Sequence, residues 1–257
     1  MCGFTKRVIT ESKGGKNNIE MAEVAADKIL KTLGIDKPMV AGMFLVGSNL
    51  WGTARKDSDW DVVVIMKNNF KKGKSKKYVG DETEISIHNS NVDAWVISEK
   101  KFAEAVRKHR MYELMCLYAP IENRLINYSF PIKFDIDAKI LFDQTLSVYA
   151  RDWEKANKQG GKNNLKRAEK ILLHCTRNLL LTLQLLRNGK IEVFDEANKY
   201  VRQIWQPIPD QYKDLQFKFQ TIHDELMLQI NRYIKIKNSK IVRSRLKFSL
   251  TYHKFNI

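Results

Sequence analysis

Asp59 and Asp61 stand at the head of an apolar run, Val62-Val63-Val64-Ile65, and an earlier apolar run ends in Gly47-Ser48, with Ser48 eleven positions before Asp59. Side chains alternate along a strand, so Asp59 and Asp61 are expected on one face of the second run. Two carboxylates that close repel each other unless a cation lies between them. Mg²⁺ suits such a pair, because it accepts one or two carboxylates and completes its shell with water and substrate phosphates. Gly47 lets the backbone turn sharply and come close to a ligand. With 49–54 helical, the amides around Ser48 would form an anion site beside the metal. A phosphate cradle next to a metal clamp is the arrangement that phosphoryl and nucleotidyl transfer require.

The series Gly47-Ser48, Gly52, Ser58, Asp59 and Asp61, set between two apolar strands, resembles the signature of the DNA polymerase β-type nucleotidyltransferase superfamily. It is similar in particular to the small nucleotidyltransferases that read G-S-x-x-x-G-x-x-x-x-D-S-D-x-D. The likeness covers residues 40–118, including a strand from Asp93, a helix with Lys101-Phe102, and Glu113-Leu114. It implies an α+β fold: a small mixed β-sheet core followed by a helical C-terminal domain. It implies an NTP substrate, Mg²⁺ (or Mn²⁺), and a third metal-binding carboxylate from a neighbouring strand. Asp93 is the best-placed candidate, because it lies among Val92, Ala94, Trp95 and Val96, where a buried carboxylate needs a partner. Asp59, Asp61 and Asp93 are thus the expected catalytic and metal-binding residues, and Gly47 and Ser48 the expected phosphate contacts. A second acidic pair, Asp135 and Asp137, lacks a preceding Gly-Ser turn and reads as a helix cap. His88 reads as a histidine near the site or on the surface rather than as a base.

The elements that must position these residues follow from periodicity. Residues 1–17 read as a loose polar arm with Gly14-Gly15. Asn18 is placed to cap a helix over Ile19–Leu33, whose Met21, Ala25, Ile29 and Leu33 recur at helical spacing before Gly34. Met39–Val46 and Val62–Met66 read as buried partner strands, and Glu84–His88 and Val92–Ile97 as two short ones. The catalytic domain so outlined is 18–136.

From 137 the pattern turns helical, over 138–157, 164–187, 192–205 and 210–236, with Gly160-Gly161, Gly189, Pro207 and Pro209 as breaks. In the second of these, Lys166, Lys170, His174 and Arg177 recur at helical intervals and outline a basic stripe. Lys170 and Arg177 are candidates to hold the triphosphate or an RNA backbone. Residues 237–257 form a basic tail, although the alternation in Ile241–Leu250 would equally suit an edge strand.

The chain of 257 residues carries a net charge of +16, and that charge is localised. Residues 67–77 hold six lysines and no acid, and residues 226–257 hold eight Lys/Arg and no acid, fourteen charges in all. Basic segments of this kind favour polyanions, nucleic acid first, and aromatic Tyr233, Phe248, Tyr252 and Phe255 among the C-terminal charges suit single strands. RNA is therefore the favoured acceptor, with a small molecule or a protein as alternatives, and a non-catalytic RNA-binding or antitoxin-like module as the reading from another class. Cys2, Cys116 and Cys175 are scattered and make neither a disulfide framework nor a zinc spacing. Lys6, Arg7 and Glu11 leave no apolar signal region, and the Leu179–Leu186 run is too short to span a bilayer. The expectation is a soluble protein of the cytoplasm, nucleus or a viral factory.

Overall fold

The computed structural model describes residues 15–68, 83–129, 132–200 and 211–252, with side chains over 22–236 of those ranges. It divides into two compact units, Met1–Asp135 and Ile136–Ile257. The basic segment 67–77 lies outside the described residues beyond 68, as do the side chains past 236.

The first unit is built on a five-stranded mixed sheet: β1 (Val40–Leu45), β2 (Trp60–Met66), β3 (Glu84–Asn89), β4 (Val92–Ser98) and β5 (Arg124–Ile126), in the order β3-β4-β2-β1-β5. β1 pairs antiparallel with both β2 and β5, β4 pairs antiparallel with β3, and β2 and β4 run parallel. The central position of β2 explains its unbroken apolar run, since both faces are covered. Val62, Val64 and Met66, with Val92, Ala94 and Val96, pack in one core with Ala25, Ala26, Ile29, Leu30 and Leu33 of helix α1 (Gly15–Leu33). α1 begins upstream of the expected Asn18 cap and closes on left-handed Gly34, where Ile35 N donates to Leu30 O at 3.0 Å and Gly34 N to Lys31 O at 3.2 Å.

After the single-turn helix α2 (Gly47–Leu50), two further helices follow β4: α3 (Glu99–Arg107), capped by the Ser98 side chain accepting from Lys101 N, and α4 (Met111–Tyr118). β5, at three residues, is too short to show a period in the sequence.

The second unit is helical: α5 (Ala138–Gly161), α6 (Leu165–Asn188) and α7 (Tyr212–Tyr252). Asp137 caps α5, its Oδ1 accepting from Lys139 N at 2.8 Å and Ile140 N at 3.0 Å, which accounts for the second acidic pair. α6 is the central helix and is buried on nearly all sides from Leu172 to Leu186. The helix expected from 192 does not begin there. Residues 191–197 form coil and turn, helix starts at 198, and 201–210 lie outside the described residues. Gln184 supplies the reason: its Nε2 donates to Val193 O at 2.7 Å, and its Oε1 accepts from Glu192 N and Val193 N. These three bonds hold the backbone at 192–193 against α6 in a turn. α7 continues past 236 to Tyr252, so the backbone of the supposed tail and edge strand is helical through that residue. From 211 onward the chain contains neither Gly nor Pro to stop it.

Candidate active site

The site face of the sheet is the one opposite α1. Asp61 in β2 and Asp93 in β4 are register partners in parallel strands, so both side chains leave that face about 4.8 Å apart at the backbone. On the far side of Asp93, antiparallel β3 sets His88 directly opposite it. The order across the sheet is therefore Asp61, Asp93, His88. His88 Nδ1 donates to Asp93 Oδ1 at 2.7 Å, and Ser86 Oγ lies 3.3 Å from His88 Nε2. Asp59 lies one residue before β2, exposed. It is led in by a turn in which Arg55 N donates to Ser58 Oγ at 2.7 Å and Ser58 N donates to Arg55 O at 3.1 Å.

The Gly-Ser turn meets this face through Asp61. Gly47 has φ +57°, and a Cβ built there would overlap the Asp61 carboxylate, at Oδ2 first. The backbone closes the same contact, Val46 N donating to Asp61 O at 2.9 Å. Only glycine satisfies both the left-handed conformation and the absent side chain. Helix starts at Gly47 itself and ends at Leu50, rather than spanning 49–54. Ser48 is half-buried in this turn, and the neighbouring Asn49 Nδ2 is a buried donor with no hydrogen-bond partner among the described residues.

Tyr112 of α4 is a site neighbour that nothing in the sequence marked. Burial first, then the neighbouring acidic groups Cys116, Asp61, Glu113 and Asp93, push its phenol far above the ordinary tyrosine range. It is a neutral hydroxyl in the field of both carboxylates. Beside it Glu113 is fully buried. Burial raises the Glu113 carboxyl above its usual range and Arg110 works against that shift. Arg110 Nη2 lies 2.9 Å from Glu113 Oε1, its Nη1 lies 2.5 Å from Glu84 Oε1, and its guanidinium sits over Trp95. This network ties α4 to β3 and β4 next to Asp93.

Lys170 and Arg177 belong to the second unit. Lys170 is exposed on α6, whereas Arg177 is only 8% exposed and burial holds its guanidinium down to about 10. The stripe they were read from is not one solvated face. It runs from an open helix end into packed core, and His174 within it is bonded through Nδ1 to Asp152 Oδ2 at 3.0 Å.

Among the described residues no group of three or more His, Cys, Asp or Glu side chains is gathered closely enough to enclose a metal ion. The donors in register, Asp61 and Asp93, instead fit the two-carboxylate pattern of Mg²⁺, which leaves remaining positions to water and substrate phosphates.

Residues 26–115 match the family model of the nucleotidyltransferase domain. No curated protein matches the chain at a significant level. Two solved structures are similar at 12% identity: a nucleotidyltransferase-like protein from Exiguobacterium sibiricum 255-15, with 82% of this chain and 78% of that one covered and a TM-score of 0.32; and the spectinomycin adenyltransferase AAD(9) from Enterococcus faecialis with ATP and spectinomycin, with 84% and 98% covered and a TM-score of 0.36. At those scores neither bears on the acceptor. The matched segment contains Gly47, Ser48, Asp59, Asp61 and Asp93 together with the whole of β1 to β4, so residues 26–115 are similar to the nucleotidyltransferase domain over the stretch that builds this face of the sheet.

Proposed function

We propose that the protein transfers a nucleoside monophosphate from an NTP to an acceptor hydroxyl, with Asp59, Asp61 and Asp93 holding Mg²⁺ or Mn²⁺. The observation that carries this reading is the register of Asp61 with Asp93, together with the Asp61 carboxylate set against Gly47. When bound, the cation neutralises phosphate charge and lowers the pKa of the acceptor hydroxyl. The acceptor oxygen attacks the α-phosphorus, forming one P–O bond as the bond to the β-phosphate oxygen breaks. Pyrophosphate leaves, and the hydroxyl proton passes to solvent.

The chain's own contribution is placement. Left-handed Gly47 followed by helical residues turns successive amides toward one point, a nest suited to phosphate oxygens, and the Ser48 hydroxyl adds a donor. Tyr112, held neutral by burial and the two carboxylates, remains a donor rather than a competing anion. Lys170, exposed on α6, remains a proposed phosphate contact on the strength of its charge, whereas Arg177, closed into the core of the helical unit, is not available for that role.

RNA is the favoured acceptor, because fourteen positive charges concentrated in 67–77 and 226–257 serve a polyanion far better than a small molecule. The test is incubation with each labelled NTP, Mg²⁺ and separate RNA, protein and small-molecule acceptors, comparing wild type with Asp59→Ala/Asp61→Ala. RNA labelling that disappears in the double variant supports the reading. Equal labelling by both proteins counts against this site. An RNA acceptor further requires affinity to fall steeply with salt, by a log–log slope of about −0.7 for each phosphate contacted on a single strand.

A further inference from the structure

We infer that His88 is a positioning residue for Asp93: it holds one carboxylate oxygen from the side away from Asp61 and so presents the other to the metal. This rests on the proposed metal-binding role of Asp93.

An ionised carboxylate only accepts hydrogen bonds, so the 2.7 Å contact assigns the proton to His88 Nδ1 whether the ring is neutral or charged. In the neutral ring, Nε2 then accepts from the Ser86 hydroxyl 3.3 Å away. Ser86, His88 and Asp93 thus form a directed chain across β3 and β4 that ends at the carboxylate facing Asp61. Asp93 needs such a partner. Its side chain is 46% exposed, and repulsion from Asp61 drives it toward solvent-facing rotamers. A donor on its outer side fixes the rotamer before any cation arrives.

Fold stability does not require this contact. β3 and β4 are already joined by a six-pair backbone ladder, and an exposed pair with a 72% exposed histidine contributes little to folding. Partners that orient metal ligands, by contrast, change metal affinity by about 10- to 100-fold.

The experiment measures Mn²⁺ binding to the full chain by the electron paramagnetic resonance of the free ion, with a non-hydrolysable ATP analogue present. His88→Ala is expected to weaken binding by about 10-fold. His88→Asn, whose amide nitrogen replaces Nδ1, is expected to restore most of the loss. His88→Gln, whose amide sits one atom too far along, is not. Thermal melting should be unchanged in all three. Asp93→Asn keeps the two readings apart: if it binds Mn²⁺ like wild type, the metal role of Asp93 is overturned and this inference with it. If Asp93→Asn is weakened while His88→Ala matches wild type, or His88→Asn is as weak as His88→Ala, the positioning role alone is overturned.

Discussion

The Asp61 carboxylate occupies the space that a side chain at position 47 would need. Glycine is therefore required at the turn for a reason beyond its backbone, because any Cβ there pushes the carboxylate off the sheet face that it shares with Asp93.

Gly47→Ala should fold, at a cost of about 1–2 kcal/mol for a left-handed alanine, and should lose about 10²-fold in NMP transfer through misplacement of Asp61. Thermal melting and pyrophosphate release, measured on the same preparation, check both halves. Transfer at the wild-type rate would show that Asp61 has no part in the reaction.

Asp61→Asn should abolish transfer without destabilising the fold. Removing one of two facing like charges relieves repulsion, so its melting temperature should equal or exceed that of wild type in the absence of metal. Adding Mn²⁺ should raise the wild-type melting temperature and leave the variant unmoved.

Acid should destabilise the helical unit in two separable steps. His223 is fully buried, its Nε2 2.8 Å from Thr176 Oγ1, and burial lowers its pKa from 6.5 to about 4. The unfolded chain therefore binds the extra proton first as pH falls, and stability drops between pH 6.5 and about 4. The loss amounts to about 3 kcal/mol. Asp152 acts lower: burial alone would raise its pKa, but His174 and Arg151 outweigh burial and hold it at about 2 against 3.8, so its contribution is lost as pH falls from 3.8 toward 2. Unfolding curves followed across this range should show both slopes, and His223→Gln should flatten only the upper one.

Gly160→Ala tests the α5–α7 junction. A Cβ at Gly160 would run into the ring of Tyr212, whose hydroxyl donates to Asn157 Oδ1 at 2.7 Å. The expected loss is about 1–3 kcal/mol from overpacking, read as a lowered denaturation midpoint with transfer activity retained at permissive temperature.

Much of the catalytic unit was legible because its signals are local. The Gly-Ser turn, the acidic pair and the apolar runs of β1, β2 and β4 lie within short windows where spacing alone specifies strand, turn and face. The Asp137 cap was legible for the same reason. The helix boundary near 192 was not, because Gln184, from the preceding helix, takes its backbone groups.

By itself, then, the sequence determined the chemistry on offer: carboxylates for a cation, a glycine for a close turn, and strands to carry them. Tertiary structure decided which groups meet. Register between β2 and β4 put Asp93 beside Asp61, and β3 put His88 behind it. Packing of α4 brought Tyr112 into the field of both carboxylates, and the core of the helical unit closed over Arg177 although its spacing matched that of exposed Lys170. Periodicity reports which side of an element a residue occupies. What lies against that side is set by strand order and helix packing between distant segments, which no local window contains.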